Sequence, residues 1–217
     1  GSSIYYTGIA PELGLSETQQ TLVRNGLRGQ VRLQVDGQMK TGRDVILMAL
    51  LGAEEYGFAT SALIVLGCVM MRKCHTNTCP MGVTTQNEDL RRRFRGRSEY
   101  LVNYFRFLAR EVREYLAEMG FTSMDEIIGR TDLIVRKDMK SGNAKLFDFG
   151  KLLYNPSKEN GAATRNVISQ NHNIGTVMDL EIIRKMRDAI DNKTEMSLDC
   201  VVCNTDRAVG AMLSGEI

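Results

Sequence analysis

The 217-residue chain is 43% hydrophobic and 25% charged, which suits one ordinary globular domain or slightly more and excludes disordered and fibrous classes. Its 28 Lys and Arg against 26 Asp and Glu leave a formal net charge of only +2, so no overall field selects nucleic acid, an anionic membrane or an acidic substrate. The apolar runs at residues 45–51 and 62–71 fall far short of the roughly 20 residues that cross a bilayer, no basic-then-apolar leader opens the sequence, and a cytoplasmic protein is expected.

Ser16 and Gln19 stand at capping-box spacing and predict a helix over residues 16–26. Val31, Leu33 and Val35 alternate with polar residues before Asp36 and Gly37, which predicts a short strand stopping at a glycine turn. Thr41 and Asp44 repeat the capping spacing ahead of an apolar run to Leu51 and a stop at Gly52, so a buried helix is expected there. With a second strand expected at residues 62–66, the order strand, capped helix, strand makes a β-α-β unit, and the fold class is α/β with a parallel sheet. Residues 67–83 have little periodicity and read as a loop. Leu101, Phe105, Leu108, Val112, Leu116 and Met119 recur at three- and four-residue steps and predict a long amphipathic helix closed by Gly120. Ser123 and Glu126 predict a short helix ending near Gly129. Residues 137–173, rich in Gly, Asn, Lys and Ser, read as a connector laid over a neighbouring surface. Thr176 and Asp179 are spaced to cap a helix with Leu180, Ile183, Met186 and Ile190 on one face, and the alternation of Met196, Leu198, Cys200 and Val202 predicts a strand. The sequence opens on Gly1 and closes without polar fraying, and it reads as an interior stretch of a longer protein.

Five cysteines, an odd number without a secretory signal, argue against a disulfide framework and for thiol chemistry. Three are concentrated in Gly-Cys68-Val-Met-Met-Arg-Lys-Cys74-His-Thr-Asn-Thr-Cys79-Pro80. Soft thiolates a few residues apart suit an iron–sulfur cluster, zinc or copper(I). A tetrahedral site wants a fourth ligand, for which His75, Cys200 and Cys203 are candidates, although His75 is one backbone step from Cys74 and simultaneous chelation is awkward. Three thiolates alone suit a three-iron, four-sulfide cluster. The bland alternative is three buried cysteines acting as small hydrophobes. A second signal is Val35-Asp36-Gly37-Gln38-Met39-Lys40-Thr41-Gly42-Arg43-Asp44 with Gly57-Phe58-Ala59-Thr60 after the next helix. In a β/α barrel the loops after strands 7 and 8 hold a cofactor phosphate, and glycines let backbone N–H groups approach the anion; a plain turn is the alternative. Cys200-Val-Val-Cys203 has the spacing of a redox or zinc half-site, but on a regular strand its thiols face opposite ways, so two core cysteines are expected. The run Arg91-Arg92-Arg93-Phe94-Arg95-Gly96-Arg97 holds one aromatic and is flanked by Glu88, Asp89 and Glu99, which favours a solvated helix end or ion-pair surface over a nucleic-acid site. His75 and His172 have no triad partners at a telling spacing, and no catalytic residue is assigned.

Residues 26–44 (GLRGQVRLQVDGQMKTGRD), 52–60 (GAEEYGFAT) and 70–83 (MMRKCHTNTCPMGV) together resemble the large subunit of glutamate synthase. The likeness runs from about residue 13 to 132 and returns at residues 204–217, which resemble the start of that family's C-terminal right-handed β-helix domain. The resemblance implies the C-terminal part of a (β/α)8 barrel, then a helical connector and the start of the β-helix. Residues 1–67 would supply the last strands and helices of an FMN-binding barrel, 68–84 an iron–sulfur loop, 85–175 the connector and 176–217 the β-helix start. It further implies FMN held near Asp36, Gly37, Gln38, Gly57, Ala59 and Thr60, and a 3Fe–4S cluster on Cys68, Cys74 and Cys79. In such an enzyme glutamine is hydrolysed in another domain, its ammonia is channelled to the barrel, and 2-oxoglutarate becomes glutamate through 2-iminoglutarate with FMN as hydride donor. Thr76 to Cys79 and the Met-Met-Arg-Lys run lean toward the NADPH-dependent branch, with an NADPH-oxidising small subunit as partner. The competing readings are a stand-alone iron–sulfur or zinc-binding electron-transfer module, and a purely structural interaction fragment.

Overall fold

In the computed structural model, residues 8–137, 146 and 148–217 are described. They fall into two compact units, Gly1–Ile168 and Ser169–Ile217.

The first unit begins with α1, Pro11–Arg24. The helix starts five residues before the expected cap because Pro11, with its φ already helical and no N–H to lose, opens it. Ser16 is therefore an interior residue, and its hydroxyl donates to Leu152 O at 2.5 Å. A 3₁₀ turn at Arg28–Gln30 leads into β1, Gln34–Asp36, in which Val35 is buried between two exposed neighbours. The strand is shifted toward the C-terminus of the expected span, although Leu33 O already accepts from the N–H groups of Glu54 and Glu55 at 2.8 and 3.1 Å. The helix α2, Gly42–Leu50, carries the expected capping box, with Asp44 N donating to Thr41 Oγ1 and Thr41 N to the Asp44 carboxylate.

The second strand, β2, lies at Glu55–Gly57 and not at residues 62–66, which instead belong mostly to the helix α3, Thr60–Val65. A short apolar run fits a buried strand and a buried helix equally well, and here the glycine at 57 ends the strand before the run begins. β1 and β2 pair in parallel, with Gln34 opposite Glu55, Val35 opposite Tyr56 and Asp36 opposite Gly57. The β-α-β order holds. These two strands are the whole sheet among the described residues.

After residues 67–83, irregular except for a 3₁₀ turn at Cys74–Thr76, come the short α4, Glu88–Arg91, capped by Asn87, and the long α5, Ser98–Met119. Gly120 stops α5 at φ +79°, a conformation natural only to glycine. Val112 and Leu116 of α5 join the core built on α2. The helices approach so closely at Gly42 that a Cβ there would lie 2.8 Å from Val112 N and 2.9 Å from Glu111 Cβ, while Gly42 N donates to Glu111 Oε2 at 2.7 Å. The short helix expected after Ser123 is a 3₁₀ turn, Met124–Glu126, with Ser123 Oγ donating to Glu126.

Residues 138–145 and 147 of the expected connector lie outside the described residues. Residues 148–168 of it, including α6 at Ser157–Asn160, are laid over α1 and the approach to β1. Gln19 donates to Thr164 O and Asn160 to Val23 O, and Gly29 O accepts from Val167 N and Ile168 N at 2.9 and 2.8 Å. Beneath it Arg28 is fully buried, a tie between distant segments. It donates to Gln19 Oε1, Val31 O and Gly52 O and pairs with Glu54 at 2.6 Å. Burial, and next the Glu54 charge, push the Tyr56 hydroxyl well above the usual phenol range.

The second unit contains α7, Met178–Asn192, and α8, Ala211–Glu216. Asp179 does not close a capping box on its own helix. Its carboxylate accepts from the N–H groups of Gly210 and Met212, both at 2.7 Å, and so caps α8 from across the chain. Residues 196–202 form no strand, and Cys200 and Cys203 are exposed, which corrects the expectation of core cysteines on a strand. No partner strand is available within this unit to hold the alternating residues in a ladder. Among the described residues no helix is long and apolar enough to cross a membrane.

Candidate functional site

Parallel pairing of β1 and β2 brings their C-terminal ends, and the loops that follow, to one edge of the sheet. Asp36, Gly37 and Gln38 leave β1; Gly57, Ala59 and Thr60 leave β2 and enter α3. All six residues marked by the sequence thus sit at adjacent strand ends, where ligands bind in α/β folds. A Cβ at Gly57 would lie 2.9 Å from Asp36 Cγ, so a side chain there would displace the Asp36 carboxylate. Gly37 at φ +126° and Gln38 at φ +60° turn the backbone sharply out of β1. The loop after β1 is anchored from α3, where buried Ser61 donates to Met39 O at 2.9 Å, and from α5, where Tyr104 donates to Lys40 O at 2.7 Å. Phe105 of α5 meets Phe58 edge-on with ring centroids 5.3 Å apart.

From α3 the chain runs directly into the cysteine segment. Cys68, Cys74 and Cys79 line one small hollow with Met70, Arg72, Pro80 and Thr84. Cys74 is exposed and the other two are half-buried, so the reading of three buried hydrophobic cysteines does not hold. The backbone is bent to keep donors on sulfur. Met70, Arg72 and Asn77 hold φ between +57° and +60°, and Met70 N lies 3.4 Å from Cys68 Sγ. A hydrogen bond from the backbone of Thr84, helped by those from Met81, Val83 and the Thr84 side chain, pulls the Cys79 thiol down to about 7 against the opposing effect of burial, the second-largest influence. A thiolate poised at neutral pH is the form that ligates soft metals. Asn77 locks the loop's exit, accepting from Thr85 Oγ1 at 2.9 Å and Gln86 N at 2.7 Å through its side chain.

Among the described residues no three His, Cys, Asp or Glu side chains converge on a point where one metal ion could sit. His75 is exposed and does not line the hollow, while Cys200 and Cys203 belong to the second unit. A mononuclear zinc site therefore has no support here. A three-iron cluster differs, because each cysteine binds a different iron and the sulfurs stand around the cluster rather than around one ion. The residues present fit that group: three thiols on one hollow, a backbone N–H on sulfur, and a largely apolar wall of Val69, Met70, Met71 and Pro80.

The arginine run begins in α4. Arg92 pairs with Glu88 and Asp89 at 3.9 and 3.5 Å, as expected of a solvated helix end. Sequence reasoning missed Ser61 and Tyr104, which hold the loop after β1, and Arg28, which ties the segments that lead into β1 and β2. Apart from Val31 their partners are distant in the chain, and only Ser61, inside an apolar run, gave any sign.

Residues 1–122 match the family described as the conserved region in glutamate synthase. Over its whole length the chain is 45% identical to the NADH glutamate synthase of Schizosaccharomyces pombe, 47% to the NADPH glutamate synthase large chain of Bacillus subtilis and 45% to the chloroplastic ferredoxin-dependent glutamate synthase of Oryza sativa. It spans 10%, 14% and 14% of their respective lengths. The three electron donors in these names are matched almost equally, so identity selects none of them.

Proposed function

The chain belongs to the glutamate synthase family, and from that premise we propose that it is the part of such an enzyme where a flavin barrel meets its iron–sulfur relay. Residues 1–67 close a (β/α)8 barrel, 68–84 hold a 3Fe–4S cluster, 85–175 connect, and 176–217 lead into a right-handed β-helix. The enzyme as a whole makes glutamate from 2-oxoglutarate and glutamine-derived ammonia. FMN, when bound, supplies hydride transfer, and the cluster supplies one-electron relay. Cys68, Cys74 and Cys79 bind the cluster; Asp36, Gly37, Gln38, Gly57, Ala59 and Thr60 lie against the flavin and its phosphate. The backbone N–H groups of the two strand-end loops meet the anion, and Ser61 and Tyr104 keep those loops from moving when it binds. Arg72, half-buried in the hollow, and Lys73 beside it place positive charge near the cluster and favour its reduced state. Electrons arrive from a separate donor protein; in an NADPH-dependent enzyme of the cytoplasm that is an NADPH-oxidising small subunit.

The observation that carries this reading is the hollow shared by three cysteines immediately after the strand-end loops. Cys74→Ser in the intact enzyme is expected to abolish the three-iron EPR signal and lower iron content while glutamine hydrolysis continues. Normal iron content in that variant would refute the assignment.

A further inference from the structure

We propose that Asn77 is a positioning residue for the cluster, closing residues 77–86 into a loop that holds the Cys79 thiol toward Cys68 and Cys74. The inference rests on the cluster reading above and adds to it the residue that keeps the third ligand in place.

Asn77 lies between Cys74 and Cys79, at the end of the 3₁₀ turn Cys74–Thr76, with φ +60° and ψ 20°. Asparagine tolerates that left-handed conformation better than most side chains do. Its side-chain carbonyl accepts from Thr85 Oγ1 at 2.9 Å and from Gln86 N at 2.7 Å, and its main-chain oxygen accepts from the same hydroxyl at 2.9 Å. The Thr85 hydroxyl has one proton, so the two oxygens of Asn77 share it. Thr85 Oγ1 in turn accepts from Asn87 N at 3.1 Å, and Asn87 Oδ1 accepts from Leu90 N at 3.1 Å as the cap of α4. A line of hydrogen bonds thus runs from the turn between the second and third cysteines to the start of a helix. Gly82, within the loop, is seated on that same helix, where a Cβ would collide with Leu90 O.

The role of the tie follows from what it encloses. Cys79 lies within residues 77–86, and so do Met81, Val83 and Thr84, from which hydrogen bonds reach its sulfur. Cys68 and Cys74 lie outside it and are held by other means. Met70 N is 3.4 Å from Cys68 Sγ, and the turn carrying Cys74 is closed by Thr76 Oγ1, which donates to Lys73 O at 2.7 Å. Opening the Asn77 tie therefore frees one ligand of three, together with the donors to its sulfur. Asparagine meets two requirements here, a backbone at ease in the left-handed region and a carbonyl placed to accept from Gln86 N; glycine meets only the first.

The test uses the intact enzyme, with anaerobic release of iron to a chelator and the reduction potential of the three-iron EPR signal as readouts. Asn77→Gly keeps the backbone conformation and removes the acceptor, and it should release iron about tenfold faster than the parent, the scale of loss when a residue behind a metal ligand is removed. Its potential should move to more negative values, because hydrogen bonds to a ligand sulfur favour the reduced cluster. Thr85→Val removes the hydroxyl and leaves Gln86 N in place, so iron release should quicken by a smaller factor, while Thr85→Ser should match the parent. FMN content should be parental in all three variants. Unchanged release and potential in Asn77→Gly would overturn the proposal, as would equal release from Thr85→Ser and Thr85→Val. Loss of FMN together with iron in Asn77→Gly would also overturn it, by assigning the residue to the general fold. A parent enzyme without a three-iron signal would strike the cluster reading and this role together, whereas unchanged variants of a parent that has the signal strike the role alone.

Discussion

The β-α-β unit and the cysteine segment are adjacent in the chain and are ordered by different means. In the unit, Val35, Val45, Ala49, Leu51 and Ala53 are at most 5% exposed, and position is set by close packing. From Gly67 to Val83 no residue is buried, and position is set by left-handed backbone turns and by hydrogen bonds to sulfur and to Asn77. A scaffold of the first kind resists small changes of volume. A loop of the second kind resists loss of a donor or of a permissive backbone conformation, and such loops, mounted on rigid scaffolds, are where function concentrates.

The largest break should come at Arg28. Replacing it with Ala strands the largely buried Glu54 carboxylate without its cation, and about 3–5 kcal/mol of local stability should go, read as faster amide exchange at β1 and β2 in the intact enzyme. If exchange there is unchanged, the unit is not held by this residue. A smaller effect is expected from Gly42→Ala, which forces α2 and α5 apart at their contact and should cost about 1–3 kcal/mol by the same reading. Both changes should leave the cysteine loop able to bind iron, and a variant that lost iron while keeping slow exchange would erase the distinction between the two regions.

The smallest effect lies in the second unit. Hydrogen bonds from the backbone of Gly210, with Met212 and Leu213 after it, hold the Asp179 carboxyl below its usual range. A depressed folded-state value means that the contribution is present above the ordinary carboxylate pKa and is lost as pH falls through the lower, folded one. Amide protection of α8 should therefore fade on acidification, and Asp179→Asn should remove that pH dependence while leaving α7 protected. Persistence of the dependence in the Asn variant would assign it to another group.

Three local signals in the sequence held because the partner is also local. The Thr41–Asp44 box, the Gly120 stop and the irregular cysteine stretch were all legible, because each depends on a few consecutive residues. The two loops marked at residues 36–38 and 57–60 lie at adjacent strand ends although β2 falls about seven positions before its expected place, since those loops were marked independently of the strand. What failed was long-range competition. Ser16 and Asp179 have the chemistry of caps, yet Ser16 serves Leu152 and Asp179 serves α8. The Arg28 tie spans Gln19 to Glu54, and no window of a dozen residues contains it.

Gly82 gives the arginine run an unusual freedom. Its missing side chain lets the backbone of α4 rest on the cysteine loop, so the contact is made by main-chain atoms that every residue type shares. The side chains of residues 91, 93 and 95 take no part in that contact through their charges. Substitution at those positions therefore leaves the backbone seat of the cysteine loop in place.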